Sequence, residues 1–246
     1  PGDPMAFLVV SLLALAAGTF SGIVGTGSSL VLMPALVLCY GPKQAVPIMA
    51  VAAVLGNFSR IAAWRREVDW RIWTAYSLPA VPAAVLGART LLVLPGRLVE
   101  GGLGLFFLAM IPATRWLAKR EWKPRLWHLA LGGAAIGYLT GIVVTTGPIN
   151  VPLFLACGLV KGAFLATEAA CSLAVYVGKV GAFREFGALP PSAVAQGCAV
   201  GAFLMVGQFI ARPYVRKMEP QTYRLLLDGL MLVSGTILLG VALLRR

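Results

Sequence analysis

The sequence is poor in charged side chains. Asp, Glu, Lys and Arg make up 12% of the 246 residues, and none of them stands between Met5 and Gly41. A soluble domain carries about 25% charged residues. Hydrophobic residues reach 59% of the chain. The composition therefore excludes an ordinary water-soluble domain and predicts an all-α polytopic membrane protein, because lipid-embedded backbone must satisfy its own hydrogen bonds.

The sequence also lacks the usual signatures of catalysis and metal binding. It has one histidine, and its four cysteines (Cys39, Cys157, Cys171 and Cys198) show no CxxC spacing. Neither a zinc site nor a redox pair is indicated. No HExxH, GxSxG or Walker loop occurs. We therefore predict that the protein is not an enzyme and needs neither a cofactor nor a metal.

Positive charge is present in excess, with a formal net charge of +12. The basic residues gather in short loops flanked by tryptophans, such as the stretches 64–73 and 115–127. This pattern is typical of cytoplasmic loops beside anionic lipid headgroups. It predicts a multi-pass membrane protein that contacts membrane lipid and binds no nucleic acid.

Apolar stretches long enough for membrane helices follow one another along the chain. The first lacks a basic flank and a convincing small-residue cleavage site, so we expect a retained helix there and not a signal peptide. The stretches predict about eight transmembrane segments, at 5–41, 45–63, 72–94, 98–118, 126–160, 163–183, 190–211 and 225–244.

The two halves of the chain resemble each other. The segment "GTFSG" at 18–22 matches "GYLTG" at 137–141, and Arg60 matches Lys179 at the same offset. We predict two homologous four-helix repeats, residues 1–122 and 123–246, which together form one transmembrane domain. Internal repeats are typical of secondary transporters.

The relative orientation of the repeats stays open at this stage. Each repeat begins with a long apolar segment that glycines interrupt near its middle. If each interrupted segment crosses once, the chain has eight crossings and parallel repeats. If its two halves count separately, the repeats are inverted. The distribution of basic residues does not decide between the two.

The glycine-rich interruptions predict a substrate site. Broken helices in a membrane line polar cavities, and the N-terminus of a half-helix attracts anions. The alternative is that the glycines only allow close helix packing, as small-xxx-small motifs do. The hydroxyl and amide groups beside them favour binding. The candidate anion-binding residues are Thr26, Gly27, Ser28 and Ser29 in the first half and Thr145, Thr146, Gly147 and Asn150 in the second.

Three ionisable residues stand inside apolar segments. Arg60 and Lys179 offer positive charge to an anion, and Glu168 offers a proton-binding group that couples transport to a proton gradient. The alternatives are that Arg60 and Lys179 extend to the membrane surface, and that Glu168 pairs structurally with Arg or Lys.

The glycine motifs resemble those of the sulfite exporter TauE/SafE family, the toluene-sulfonate uptake permeases. They stand as "GTFSGIVGTGSSLVLMPAL" at 18–36 and, in degraded form, as "GYLTGIVVTTGPINVPLF" at 137–154. Ser28 and Ser29 replace two glycines of the family pattern. The resemblance implies a permease for sulfur-containing or related organic anions in the cytoplasmic membrane.

These observations predict a secondary transporter that moves a small anion, such as sulfite or a sulfonate, by alternating access around paired broken helices. Protons are a candidate coupling ion. Two alternatives remain: a passive anion channel, and a membrane assembly factor that transports nothing. The sequence leaves the anion, the direction of transport and the oligomeric state open.

Overall fold

The computed structural model of the chain describes residues 4–24, 27–118, 124–143, 146–159, 161–211 and 220–244. Within these ranges the protein is helical and contains no strand, which confirms the predicted all-α fold. A 3-10 helix over Arg65–Glu67 connects the third and fourth α-helices. The α-helices are α1 (Pro4–Val24), α2 (Ser28–Tyr40), α3 (Pro42–Trp64), α4 (Trp70–Val93), α5 (Gly96–Ala118), α6 (Leu126–Ile142), α7 (Gly147–Ala156), α8 (Lys161–Glu185), α9 (Pro191–Ala211) and α10 (Pro220–Leu244).

Several of these helices are long and apolar enough to cross a membrane. Among the described residues there are five, Pro42–Ala62, Trp70–Val93, Leu98–Trp116, Gly162–Glu185 and Pro191–Ile210. Shorter apolar helices cover Val9–Gly22, Ser28–Tyr40, Leu126–Ile142 and Met231–Leu244. The protein is therefore a multi-pass membrane protein, whereas the count of about eight crossings stays a prediction.

The outer surface of the helices is strongly apolar. Leu78, Val93, Leu105 and Leu131 are between 64% and 81% exposed. In water such side chains would form apolar patches that promote aggregation, whereas lipid tails solvate them favourably. Their exposure is what a lipid-facing surface requires.

Both predicted helix interruptions are present. α1 ends at Val24 and α2 begins at Ser28, while α6 ends at Ile142 and α7 begins at Gly147. The residue before α2 is Gly27, whose φ of +104° lies in the region that side-chain-bearing residues rarely adopt. The carbonyl of Gly27 accepts a hydrogen bond from the amide of Leu30. A glycine therefore permits the turn from which α2 starts.

The helices of the two halves are interleaved. α1 packs along α9 and α6 packs along α4, so each half supplies one helix to a pair with the other half. α3 likewise packs on α9 and α8 on α4, and α3 and α8 also pack against each other. Two homologous repeats related by an approximate two-fold axis would pack in this reciprocal way. The repeat boundaries at 122 and 123 stay a prediction.

Glycines allow the closest of these helix crossings. A Cβ added to Gly18 of α1 would lie 2.8 Å from the Cα of Leu204 in α9, and one added to Gly137 of α6 would lie 2.7 Å from the Cα of Ala80 in α4. Real Cβ atoms do not approach so closely. The packing interpretation of these two glycines is thus confirmed, and it applies at equivalent places in the two halves.

Candidate functional site

A polar cavity lies where the two broken helices meet. Its wall includes the first turns of both α2 and α7, together with side chains from α3, α4, α8 and α9. Its volume is about 40 Å³. A water molecule needs roughly 10–15 Å³ by the same measure, so the space suits a few waters or one small oxyanion.

The cavity collects most of the residues that the sequence singled out. Thr26 and Thr145 lie outside the described residues, and Lys179 is not part of the wall. The predicted residues that line the cavity are Gly27, Ser28, Ser29, Arg60, Thr146, Gly147, Asn150 and Glu168. The structure thus brings together two sequence segments that are 119 residues apart.

The two half-helices begin in the same way. The amide of Leu30 donates to the carbonyl of Gly27, and the amide of Ile149 donates to the carbonyl of Thr146, at 3.0 and 2.9 Å. Neither Gly27 nor Thr146 caps its helix with a side chain. The partial positive charge of both helix starts therefore lies at the cavity wall without an acidic side chain in the first turn to offset it.

Arg60 brings a full positive charge to the cavity from α3. Its side chain is only 11% exposed and forms part of the cavity wall. Its Nη2 atom donates to Oδ1 of Asn57. Its Nη1 atom lies 2.9 Å from Oε2 of Glu168, which makes a buried ion pair. The angles at this contact are not those of a hydrogen bond, so Nε and Nη1 of Arg60 and Oε2 of Glu168 have no hydrogen-bond partner among the described residues.

Glu168 holds the negative charge of that ion pair from α8. Its side chain is 3% exposed. Its other carboxylate oxygen, Oε1, accepts a hydrogen bond of 2.8 Å from the hydroxyl of Ser172, one turn along the same helix. The carboxylate is therefore fixed on one side by Ser172 and faces Arg60 on the other.

Lys179 is fully buried and supports the second break. Its Nζ atom donates to the backbone carbonyl of Thr140 at 2.5 Å and lies 3.4 Å from that of Val143. These carbonyls are at the C-terminal end of α6, where backbone acceptors lack partners within the helix and the dipole is negative. The hydroxyl of Thr140 in turn shares a hydrogen bond of 2.5 Å with that of Thr146. Lys179 thus contacts the cavity wall indirectly, through its hydrogen bond to Thr140.

Several wall residues were missed by the sequence reasoning. The hydroxyl of Tyr76 in α4 donates to Oδ1 of Asn150 at 2.9 Å, and Gln208 of α9 accepts a hydrogen bond from Ser59 of α3. Asn57 holds Arg60. Asn57 and Gln208 are amides inside otherwise apolar stretches of α3 and α9, which is a signal that hydropathy alone could have found. Tyr76 carries no such signal, because tyrosines are also common at membrane interfaces.

A multi-pass helical protein whose two broken helices start at one polar cavity has the architecture of a membrane transporter. The family model of the sulfite exporter TauE/SafE matches residues 10–238, and the chain belongs to that family. This finding confirms the resemblance read from the glycine motifs. No curated protein and no solved structure matches the chain.

Proposed function

We propose that this protein is a secondary transporter that carries a small sulfur-containing or organic anion, such as sulfite or a sulfonate, across the cytoplasmic membrane. One observation carries the proposal: the starts of both half-helices and the side chain of Arg60 line the same cavity. The family match supports transport, and the cavity wall supports a small anion as the cargo.

The wall favours an anion for electrostatic reasons. The starts of α2 and α7 contribute partial positive charge, and Arg60 contributes a full one. In a site with little water these charges act more strongly than in solution. The hydroxyls of Ser28, Ser29 and Thr146 add neutral donors that suit the oxygens of an oxyanion. A cation would gain only the one carboxylate of Glu168, which Arg60 already neutralises.

The cavity size favours a small oxyanion over an aromatic sulfonate. With a volume of about 40 Å³ the cavity accommodates a sulfite-sized ion, whereas an aromatic ring needs more room than the cavity provides. Uptake should therefore fall steeply as the group attached to sulfur grows.

Transport would proceed by alternating access around the paired broken helices. The anion binds at the starts of α2 and α7, and the surrounding helices open the cavity first to one side of the membrane and then to the other. In this scheme Arg60 contacts the anion, Glu168 couples its movement to protons, and Lys179 positions the second break without touching the anion.

Uptake by proteoliposomes tests the proposal. Purified protein is reconstituted, and entry of isotope-labelled sulfite, sulfate and methanesulfonate is followed against protein-free liposomes. A carrier gives saturable uptake that accelerates when the vesicles contain the same unlabelled anion. A passive channel shows no such acceleration, and an assembly factor gives no uptake above the protein-free control; either result would overturn the proposal.

Variants of the first half-helix test the location of the site. The double change Ser28→Val and Ser29→Val removes two hydroxyls from the cavity wall and should weaken anion binding in a folded protein. The matched control is Thr114→Val with Thr236→Val, since each of these hydroxyls bonds only carbonyls of its own helix. Equal affinities in both double variants would place the site elsewhere.

A further inference from the structure

The ion pair between Arg60 and Glu168 is incompletely satisfied. Nη1 of Arg60 and Oε2 of Glu168 are 2.9 Å apart, yet neither atom makes a hydrogen bond among the described residues, and Nε of Arg60 makes none either. Charged donors and acceptors that are buried without hydrogen bonds are costly to maintain. Both side chains line the cavity, but these atoms have no exposed surface of their own, so a ligand reaches them only when the ion pair separates.

We propose that the transported anion and the carboxylate of Glu168 compete for Arg60, so that one proton enters the cavity with each monovalent anion. The inference rests on the proposed function and specifies how its site is regulated. Without an anion, the carboxylate of Glu168 pairs with the guanidinium of Arg60, and the net charge of the two side chains is zero. An arriving oxyanion replaces Glu168 as the partner of Arg60 and offers oxygens to its unsatisfied nitrogens.

The proton follows from charge balance. Once displaced, Glu168 would be a buried carboxylate beside a second negative charge, and both conditions favour its neutral form. A proton from the water on the open side of the cavity therefore binds to Oε2. The site then holds Arg60 with a positive charge, the anion with a negative charge and a neutral Glu168. Its net charge equals that of the empty site, so a monovalent anion adds no net charge to a low-dielectric cavity.

No other cation on the described residues takes the place of Arg60 beside Glu168. A second ion pair joins Arg115 of α5 to Asp228 of α10, and it does not involve Glu168. Lys179 lies on the same helix as Glu168 but donates to backbone carbonyls of α6 and its end. The titratable groups that interact electrostatically with Glu168 include Tyr76 and Cys171. The segments packed against α8 also carry the acidic Glu67 and Asp69 and the basic Arg65, Arg66 and Arg71.

Arg60 and Glu168 are each held by a polar side chain of their own helix. Asn57 keeps Nη2 of Arg60 engaged on α3, and Ser172 keeps Oε1 of Glu168 engaged on α8. Each side chain therefore has an anchor on its own helix that does not depend on the ion pair. Exchange of one partner can occur without releasing the other from its helix.

Binding measurements with anions of fixed charge test the exchange. Affinities of the purified protein for methanesulfonate and sulfate are measured by calorimetry from pH 5 to pH 9, a range in which neither probe changes charge. If one proton binds with each anion, affinity should fall by up to about tenfold per pH unit in the upper part of the range. In Glu168→Gln the affinity should be independent of pH and higher than that of the wild type at pH 9, because Arg60 has lost its competitor.

Three further variants test whether the pH dependence of the affinity comes from Glu168 and whether the anion binds to Arg60. Asp228→Asn removes the carboxylate of the other ion pair, outside the cavity wall, and should keep the pH dependence of the wild type. Glu168→Asp keeps a titratable group and should keep a pH dependence, which matters if Glu168→Gln folds poorly. Arg60→Gln should lose at least tenfold in affinity at every pH.

The failure of the inference is distinguishable from the failure of the proposed function. A wild type that binds the anions with an affinity independent of pH, or a Glu168→Gln variant that keeps the slope, overturns the exchange while leaving an anion transporter. A wild type that binds neither probe at any pH and transports no anion overturns both.

Discussion

Arg60 and Lys179 stand at matching places in the two halves of the chain and have different partners. Arg60 lines the cavity and pairs with Glu168, whereas Lys179 is fully buried and donates to carbonyls at the end of α6. Of two residues at matching places, one thus supplies a charge to the cavity wall and the other a charge that stabilises a helix end. A match in sequence between the two halves therefore predicts the place of a residue but not its partner.

The two helix breaks also differ in the interactions that stabilise them. Gly27 precedes α2 with a positive φ and no side chain, while Thr146 precedes α7 with a negative φ of −120° and a hydroxyl bonded to Thr140. The first break therefore depends on backbone freedom, and the second depends on side-chain hydrogen bonds and the buried Lys179. The following variants test this contrast, beginning with the largest expected effect.

Loss of Arg60 should have the largest effect on stability. Arg60→Gln leaves the buried carboxylate of Glu168 without its ion-pair partner, which we expect to lower the free energy of unfolding by about 3–5 kcal/mol. The double variant Arg60→Gln with Glu168→Gln should recover most of this loss, because no charge is left unpaired, yet it should remain unable to transport. Thermal unfolding in detergent and liposome uptake measure the two quantities. A double variant as unstable as the single one would show that the pair does not act as a unit.

Loss of Lys179 should destabilise the protein without changing its preference for anion charge. Lys179→Met removes the donor to the carbonyls of Thr140 and Val143, and we expect a loss of about 1.5–3 kcal/mol. The measurement is the Km for a monovalent and for a divalent anion. Arg60→Gln should raise the divalent value more, whereas Lys179→Met should raise both alike.

The exposed Lys43 provides the control for this prediction. Lys43→Met removes a lysine at the start of α3, outside the cavity wall, and should leave both stability and Km unchanged. A selective rise in the divalent Km of Lys179→Met would mean that Lys179 contacts the anion directly.

Substitution of Gly27 should have a smaller effect, set by the backbone. Gly27→Ala places a Cβ on a residue with φ of +104°, which costs about 1–2 kcal/mol. We also expect a higher Km, because the start of α2 shifts. Gly41→Ala is the matched control, since Gly41 also has a positive φ, of +74°, with open space around it and no place in the cavity wall. It should lose similar stability and keep the wild-type Km; an equal rise in Km for both variants would contradict the role of the first break.

The smallest effect is expected at Thr146. Thr146→Val keeps the shape of the side chain and removes the hydrogen bond to Thr140, at a cost of about 0.5–1.5 kcal/mol. Km should rise a few-fold through loosening of the second break. Thr90→Val removes an exposed hydroxyl contact with Tyr138 and serves as the control. If the two changes affect transport equally, the Thr140–Thr146 bond has no special part in the site.

The sequence predicts the breaks well because their cause is local. A cluster of glycines inside an uncharged apolar segment has few structural solutions in lipid, and α2 and α7 begin within the stretches that were predicted to open the half-helices. The predicted cavity residues Ser28, Ser29 and Asn150 follow from the same reasoning, because the first turn of a half-helix must lie beside its break.

The pairing of Glu168 with a basic residue was one of the two interpretations from the sequence, whereas the partners of Lys179 could not be predicted in this way. Whether Lys179 faces the cavity or the end of α6 depends on how far α8 is rotated about its axis, which packing against α3, α4 and α6 decides. Tyr76 joins the site through a contact with Asn150, 74 residues away in sequence. Such long-range contacts leave no periodic or compositional trace in a single sequence.

The glycine crossings have a mechanical consequence. At Gly18 the backbone of α1 lies directly against that of α9, and at Gly137 the backbone of α6 lies directly against that of α4. Each close contact therefore joins a helix of one half to a helix of the other. Neither pair can slide or rotate internally without a steric collision. Any motion that separates the first half of the chain from the second must therefore break both of these close helix contacts.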